Sequence, residues 1–366
     1  MSVPRVYTLG SAPLVYLMSH ELASLSFQPK VPEIVLLLQD QKKLNRFLEN
    51  ESKLVIRSRG GGADYSCQYM ASCSPPKFAS GDLAKLDNLV VGEKKPRASI
   101  QALKKYSRSL HSDTNVLLLN PAMGLLDLLR KNIWNERGFV PNLFIGVTNT
   151  SGFCRPKEFT AELPNFQNTL QICSVPRTHE GYTYEGDVQG AAMAMESNNL
   201  LKLFAAVNQE QSGSGLGIVC RPYGDVLLYR LEQLIVQSCV NPIMALYGAQ
   251  AHDLMTSESL VKMTRALITE FVHVLKSTDK FINNIPYSQG ALDAERLLAA
   301  VARYCKSYNS KAFNELNVHD VNQLNGFFAL KARRRNIRCP LNDAIMACSK
   351  AKLELARNAR LDFRYL

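Results

Sequence analysis

Along the first half of the chain, short unbroken apolar runs alternate with segments whose apolar positions recur every three or four residues. Val6, Tyr7 and Thr8 form a strand-like run, Gly10 makes a turn, and Leu14, Leu17, Met18 and Leu22 share one helical face. EIVLLLQD at 33–40 is the next buried run, and Leu44, Phe47 and Leu48 stripe the helix after it. KLVIRSR, SCQYMASC and DNLVVGE add strand candidates, and SIQALKKYSRSL then NVLLLNPAMGLLDLLRKNIW repeat the alternation. PNLFIGVTN, EFTAEL and TLQICSV read as later strands, NNLLKLFAAVNQ as a last helix, and QSGSGLG at 211–217 as a loop. Buried strands interleaved with helices predict a doubly wound, mainly parallel α/β sheet.

Beyond Tyr223 the period changes. DVLLYRLEQLIVQSCVNPIMALYG, SLVKMTRALITEFVHVLKS, AERLLAAVARYCKSY and NDAIMACSKAKLELARNARL all carry helical spacing, with no strand run among them. The expectation is a Rossmann-like α/β domain over 1–222 followed by an all-α domain over 223–366. Pro242 should kink the first helix of the second domain, because it cannot donate a helix hydrogen bond.

Composition narrows the chemistry. The chain has 366 residues, 46% hydrophobic and 20% charged, which is ordinary for two globular domains. Its longest apolar runs, IVLLL at 34–38 and VLLL at 116–119, are far short of the roughly 18 residues of a spanning helix. Any membrane association would be peripheral. Nine cysteines include no CxxC, so neither a zinc ribbon nor a redox dithiol is indicated, and buried thiols in a reducing compartment are expected. Six histidines form no HExxH, and His319 and Asp320, being adjacent, point to different sides of a helix, so no metal site is expected. An Arg-rich transit helix has no room before a strand that starts near Arg5, which leaves cytoplasm or an uncleaved import signal.

The formal charge of +11 points to an acidic partner such as RNA, a ribosome or an anionic membrane surface. From Lys331 to Leu366 ten Lys and Arg stand against three acids, a net +7. KARRRNIR contributes Lys331, Arg333, Arg334, Arg335 and Arg338, with no acidic run nearby to offset them. A second cluster, at 94–108, contains Lys94, Lys95, Arg97, Lys104, Lys105 and Arg108. Both could contact phosphates, and for both the competing reading is a solvated basic face. No aromatic RNP pattern, GXXG clamp or zinc finger is present, so contact would run through shape and charge.

A nucleotide-type domain followed by a helical domain with an Asn-Pro in its first helix resembles ketopantoate reductases. The anchors are NLVVGEK at 88–94, TNVLLLNPAMGLLDLL at 114–129, EQLIVQSCVNPIMAL at 232–246 and QLNGFFAL at 323–330. That resemblance implies a glycine fingerprint for the cofactor's pyrophosphate in the first turn. Here LGSAPLV keeps only Gly10, with Ser11 following and Pro13 donating no N–H. At the end of the second strand Gln39 stands where the family places an Arg for the 2′-phosphate, and Asp40 beside it would repel that phosphate. The family's proton-donating Lys becomes Gln233, its Asn four residues before the kink becomes Gln237, and its QNG becomes Asn120, Pro121 and Ala122. Asn241, Asp320 and Lys94 remain as counterparts. The expectation is a pseudoenzyme of ketopantoate reductase type, with no cofactor and no catalytic residues.

At finer grain PRVYTLG, QPKVPEIVLLLQDQKKLNRFLENESK, MASCSPP, LNGFFAL and the terminal DFRYL are similar to the fungal mitochondrial translational activators of cytochrome b mRNA. That resemblance implies a mitochondrial matrix protein, peripheral to the inner membrane. It would act on the cytochrome b mRNA leader, directly or through a partner protein, together with the mitochondrial ribosome. Three readings stand side by side: a noncatalytic translation factor, a residual NADPH-dependent reductase, and a scaffold that touches only proteins.

Overall fold

The computed structural model describes residues 3–58, 65–93, 95–148, 153–163, 168–178, 180–210, 216–307 and 318–362. Lys94, most of the 211–217 segment and all but the first residue of the terminal DFRYL lie outside them. The chain forms two compact units, Met1–Val226 and Leu227–Leu366.

The first unit is built on β1 (Val6–Gly10), α1 (Pro13–Ala23), β2 (Ile34–Leu37), α2 (Gln41–Glu49), β3 (Lys53–Ser58), β4 (Tyr65–Gln68), β5 (Met70–Ser72), β6 (Asn88–Gly92) and α3 (Pro96–Tyr106). It continues through β7 (Asn115–Leu119), α4 (Leu125–Leu129), β8 (Asn142–Thr148), β9 (Thr160–Leu163), β10 (Asn168–Ser174), α5 (Tyr184–Ser197), α6 (Asn199–Glu210) and β11 (Leu216–Cys220). Eight strands make one sheet in the order β11-β10-β8-β7-β6-β1-β2-β5. The run from β8 to β5 is parallel throughout, while β10 is antiparallel to β8. The central strands are buried on both faces, which is why they read as unbroken apolar runs.

Three strand candidates leave this sheet. β3, β4 and β9, the last being EFTAEL, form a separate sheet in the order β4-β3-β9. SCQYMASC is divided between the two sheets at Tyr69, whose N–H donates to the Ser52 carbonyl at 2.8 Å. At the other end of the main sheet Asn88, Asn115 and Asn142 open β6, β7 and β8 in register. Their side chains join edge to edge, Asn115 donating to Asn88 at 2.9 Å and Asn142 to Asn115 at 3.3 Å. A one-residue slip would break this ladder, so it pins the register that sets where the opposite strand ends emerge.

The second unit follows from α7 (Tyr223–Tyr247), which begins in the first unit, with α8 (Glu258–Thr278), α9 (Ala294–Ser307), α10 (Val318–Gln323), α11 (Asn325–Arg334) and α12 (Pro340–Asp362). Pro242 lies inside α7, which continues past it to Tyr247. QLNGFFAL gives this unit its centre. Phe328 stacks on Phe271 with centroids 3.9 Å apart. Asn325 donates to the Ser238 carbonyl at 3.1 Å and to Asn342 at 2.9 Å, and Asn342 returns a bond to the Asn325 carbonyl. The Glu270 carboxylate accepts from the Leu341 and Asn342 amides at 2.9 and 3.0 Å, placing a negative group on the otherwise unpaired first turn of α12. From Ala351 to Asn358 α12 is exposed almost all round. Among the described residues no helix is long and apolar enough to cross a membrane.

Candidate functional site

The β1–α1 turn is where a dinucleotide fold holds pyrophosphate on free backbone amides and the positive end of the helix. Here its donors are engaged or absent. The Ala12 N–H donates to the Gly92 carbonyl at 3.3 Å, and Pro13 starts α1 without an N–H. α1 carries no acidic residue in its first turn and no side-chain cap. Residues 12 and 13 leave a pyrophosphate no free amide.

Around this turn lies a cluster of charges that sequence reasoning passed over. Burial raises the Glu93 carboxyl above the ordinary carboxylate range, against the pull of Lys43, the Ser11 amide and Arg155. Lys43, on α2, is 9% exposed, and burial lowers its ammonium while Glu158 and Glu93 oppose the shift. Arg155 donates to the Ser11 carbonyl at 3.4 Å, and Arg46 pairs with Glu158 at 3.0 Å. Burial pushes the neighbouring Tyr16 phenol up to about 12, with Arg155 pulling the other way. The available signal was the acid of NLVVGEK, one residue beyond the end of β6.

The ends of two other strands are committed in the same manner. Asp40 caps α2 by accepting from the Lys43 amide at 2.8 Å. Gln39 is exposed, and its carbonyl accepts from Lys105 at 2.9 Å; Lys105 also reaches the Cys73 carbonyl after β5. Asn120, beyond β7, adopts φ 44° and exchanges bonds with Thr148, its amide donating to the hydroxyl and its Oδ1 accepting from the Thr148 N–H, each at 3.0 Å. Pro121 follows it, buried.

In the helical unit Gln233, Gln237 and Asn241 recur every four residues on α7 and share a face. All three are partly buried. Gln233 donates to the Tyr229 hydroxyl at 3.1 Å, and its amide, unlike an ammonium, has no proton to deliver to a carbonyl at neutral pH. The Asn241 Oδ1 is buried without a hydrogen-bond partner among the described residues. Asp320 lies on α10, partly buried. Lys94 lies outside the described residues. Among the described residues no three His, Cys, Asp or Glu side chains are grouped to hold a metal.

KARRRNIR forms the end of α11. Asn336 takes φ 56°, its N–H donates to the Arg333 carbonyl at 3.2 Å, and the Ile337 N–H donates to the Ala332 carbonyl at 2.9 Å. That is a Schellman termination, with Ile337 packed on Val274, Ala332 and Cys339. Arg333, Arg334 and Arg335 therefore crowd the negative end of a helix, where cations are favoured. No acidic run adjoins the cluster in sequence, but the fold brings two acids to it. Lys331 is tied to Asp279 at 2.9 Å and lies over the Phe327 ring, and Arg333 is 3.8 Å from Asp343. Arg334, Arg335 and Arg338 are exposed, with no carboxylate at ion-pair distance among the described residues. On and flanking α3, Lys95, Arg97, Lys104 and Arg108 are exposed as well, whereas Lys105 is spent on the two strand-end carbonyls.

A parallel-sheet α/β unit with a closed nucleotide turn, followed by a helical unit, defines a ketopantoate reductase-like two-domain protein. Residues 225–353 match the family described as ketopantoate reductase PanE/ApbA C terminal. A solved ketopantoate reductase of the PanE/ApbA family from Ralstonia eutropha aligns with a TM-score of 0.64 at 15% identity, over 96% of this chain and 99% of its own. The 2-dehydropantoate 2-reductase of Saccharomyces cerevisiae is 23% identical over 90% of this chain and 90% of its own length. The cytochrome B translational activator CBS2 of the same yeast is 31% identical over 100% of this chain and 99% of its own length. The chain belongs to the family of that activator.

Proposed function

We propose that this chain is a noncatalytic translational activator of cytochrome b, working in the mitochondrial matrix at the surface of the inner membrane. It acts on the leader of the cytochrome b mRNA together with the mitochondrial ribosome. The observation that carries this reading is the 31% identity, end to end, to a cytochrome B translational activator. Gln233 where a reductase needs a proton donor, and a nucleotide turn in which the Ala12 amide is engaged and Pro13 has none, support the noncatalytic part. Arg333, Arg334, Arg335 and Arg338 form the proposed contact for RNA or ribosome, with Lys95, Arg97, Lys104 and Arg108 as a second basic face.

The test is pulse-labelling of mitochondrial translation products in fungal cells depleted of the protein. Cytochrome b synthesis should fail while the other products continue. Equal loss of every product would instead assign a general ribosome factor, and undiminished cytochrome b would overturn the proposal.

A further inference from the structure

Between α8 and α9 the chain runs through a series of tight turns from Asp279 to Leu292. The Ile282 N–H donates to the Asp279 carbonyl at 3.2 Å, Asn284 to Phe281 at 3.0 Å, Ile285 to Ile282 and Ser288 to Ile285 at 3.2 Å each, and Ala291 to Tyr287 at 2.8 Å. Phe281, Ile282, Ile285 and Leu292 are buried and anchor these turns in the helical unit. Asn283, Asn284, Tyr287 and Gln289 stay outside. Tyr287 is 83% exposed, the most of any large hydrophobic side chain among the described residues, and it holds φ at 64°. That conformation is unfavourable for a bulky side chain. Phe159 takes φ 59° as well, but its ring is buried against Phe47 with centroids 4.9 Å apart. Tyr287 has no such compensation, so packing does not account for its ring.

The same turns adjoin the arginine cluster. Asp279 holds Lys331 at 2.9 Å, and Val274 packs with Ala332 and Ile337, which brings the end of α11 against the end of α8. Lys276, in the last turn of α8, and Lys280 are exposed, with no carboxylate at ion-pair distance among the described residues. The Asn283 amide donates to the Lys276 carbonyl at 3.4 Å and folds the turns back onto that helix end. Cations that suit phosphates and an exposed, firmly held aromatic ring are the two parts of a surface for single-stranded nucleic acid.

We propose that Tyr287 is a stacking platform for an unpaired base, on a single-stranded RNA surface that joins Arg334 and Arg335 to Lys276, Lys280 and the turns beyond them. To the proposed arginine contact, on which this reading rests, Tyr287 adds a preference for unpaired RNA. Phosphate contacts fix position without reading bases, whereas an aromatic ring takes only a base that has left its stack.

The test uses the full chain and a labelled single-stranded RNA of about 12 nucleotides, within the span such surfaces cover, beside the same RNA annealed to its complement. By fluorescence anisotropy Tyr287→Gly should bind the single strand about tenfold more weakly, with the duplex affinity and the salt slope unchanged. Its melting temperature should hold, because glycine adopts φ 64° freely. Tyr287→Phe, which keeps the ring, should bind as the wild type does. Undiminished single-strand affinity in Tyr287→Gly, an equal loss on the duplex, or a Tyr287→Phe as weak as Tyr287→Gly would each overturn the stacking role and leave the arginine contact standing. Loss of ribosome association with RNA affinity intact would make the ring a protein contact and overturn it too. A wild type that binds no single strand would overturn the stacking role and the arginine contact on RNA together.

Discussion

A β-carbon on Gly10 would fall 2.1 Å from the carbonyl oxygen of Gly92, and Gly10 holds φ at 123°. The surviving glycine of the first turn is therefore required by the approach of β1 to β6, whatever the fate of the cofactor. Gly92 is its complement, since a β-carbon there would meet the Val15 side chain at 2.4 Å and push α1 off the sheet. Gly10→Ala should cost about 3 kcal/mol or more, from backbone strain and overpacking together. Urea unfolding measures it, and a midpoint equal to the wild type would show that the two strand ends can separate freely.

Reductase chemistry should not return with one residue. Gln233→Lys would restore a cation on α7, yet Gln39, Pro121, the engaged Ala12 amide and Pro13 would remain. We expect neither NADPH binding by calorimetry nor loss of nicotinamide absorbance with ketopantoate, in wild type or variant. Steady turnover by the wild type would establish a working reductase.

Much of this was legible in the sequence because the central strands are buried on both faces and the helices of the second unit carry clean stripes. The parts missed have physical causes. α5 has no buried residue and contains Gly186 and Gly190, so it shows no stripe; its start is marked only by Thr183, which accepts from the Gly186 amide. β11 sits at the sheet edge behind a glycine-rich stretch and reads as loop. The division of SCQYMASC between two sheets depends on a long-range bond from Tyr69 to Ser52, which no local pattern encodes. At the site, absences were readable position by position. Glu93, Lys43 and Arg155 were not, because three charges distant in sequence announce nothing until the fold gathers them.

His20 gives the first unit an acid limit. It lies on α1, 8% exposed, with Nδ1 3.4 Å from the Cys67 sulfur, and burial lowers its pKa to about 4. The unfolded value is about 6.5, so the folded state binds this proton less well. Its contribution is fully present above about pH 6.5 and is lost as the pH falls toward 4, amounting to about 3 kcal/mol. His20→Leu should remove that part of the slope in a series of urea melts. An identical pH profile in wild type and variant would mean that the imidazole is hydrated in the native state.

The arginine cluster is the part of the proposed function that solution measurements can reach directly. If Arg333, Arg334, Arg335 and Arg338 meet single-stranded RNA phosphates, each contact releases condensed counterions, and log affinity should fall with log salt by about 0.7 per phosphate. Changing all four to Ala should lower that slope by about 2 to 3 and weaken binding to unrelated sequences equally, because phosphate contacts carry no base information. The fold should survive. The Schellman bonds run through backbone groups and Ile337, leaving only the helix-end charge effect, about 1 kcal/mol in sum and partly offset by relief of like-charge repulsion. Lys331→Ala is the control, since its ammonium is already held by Asp279 and should contribute little to the slope. In cells the quadruple variant should accumulate normally yet fail in cytochrome b synthesis. A variant with the wild-type salt slope and normal cytochrome b would mark the cluster as a solvated helix end, and the search for the RNA or ribosome contact would move to Lys95, Arg97, Lys104 and Arg108 on and flanking α3.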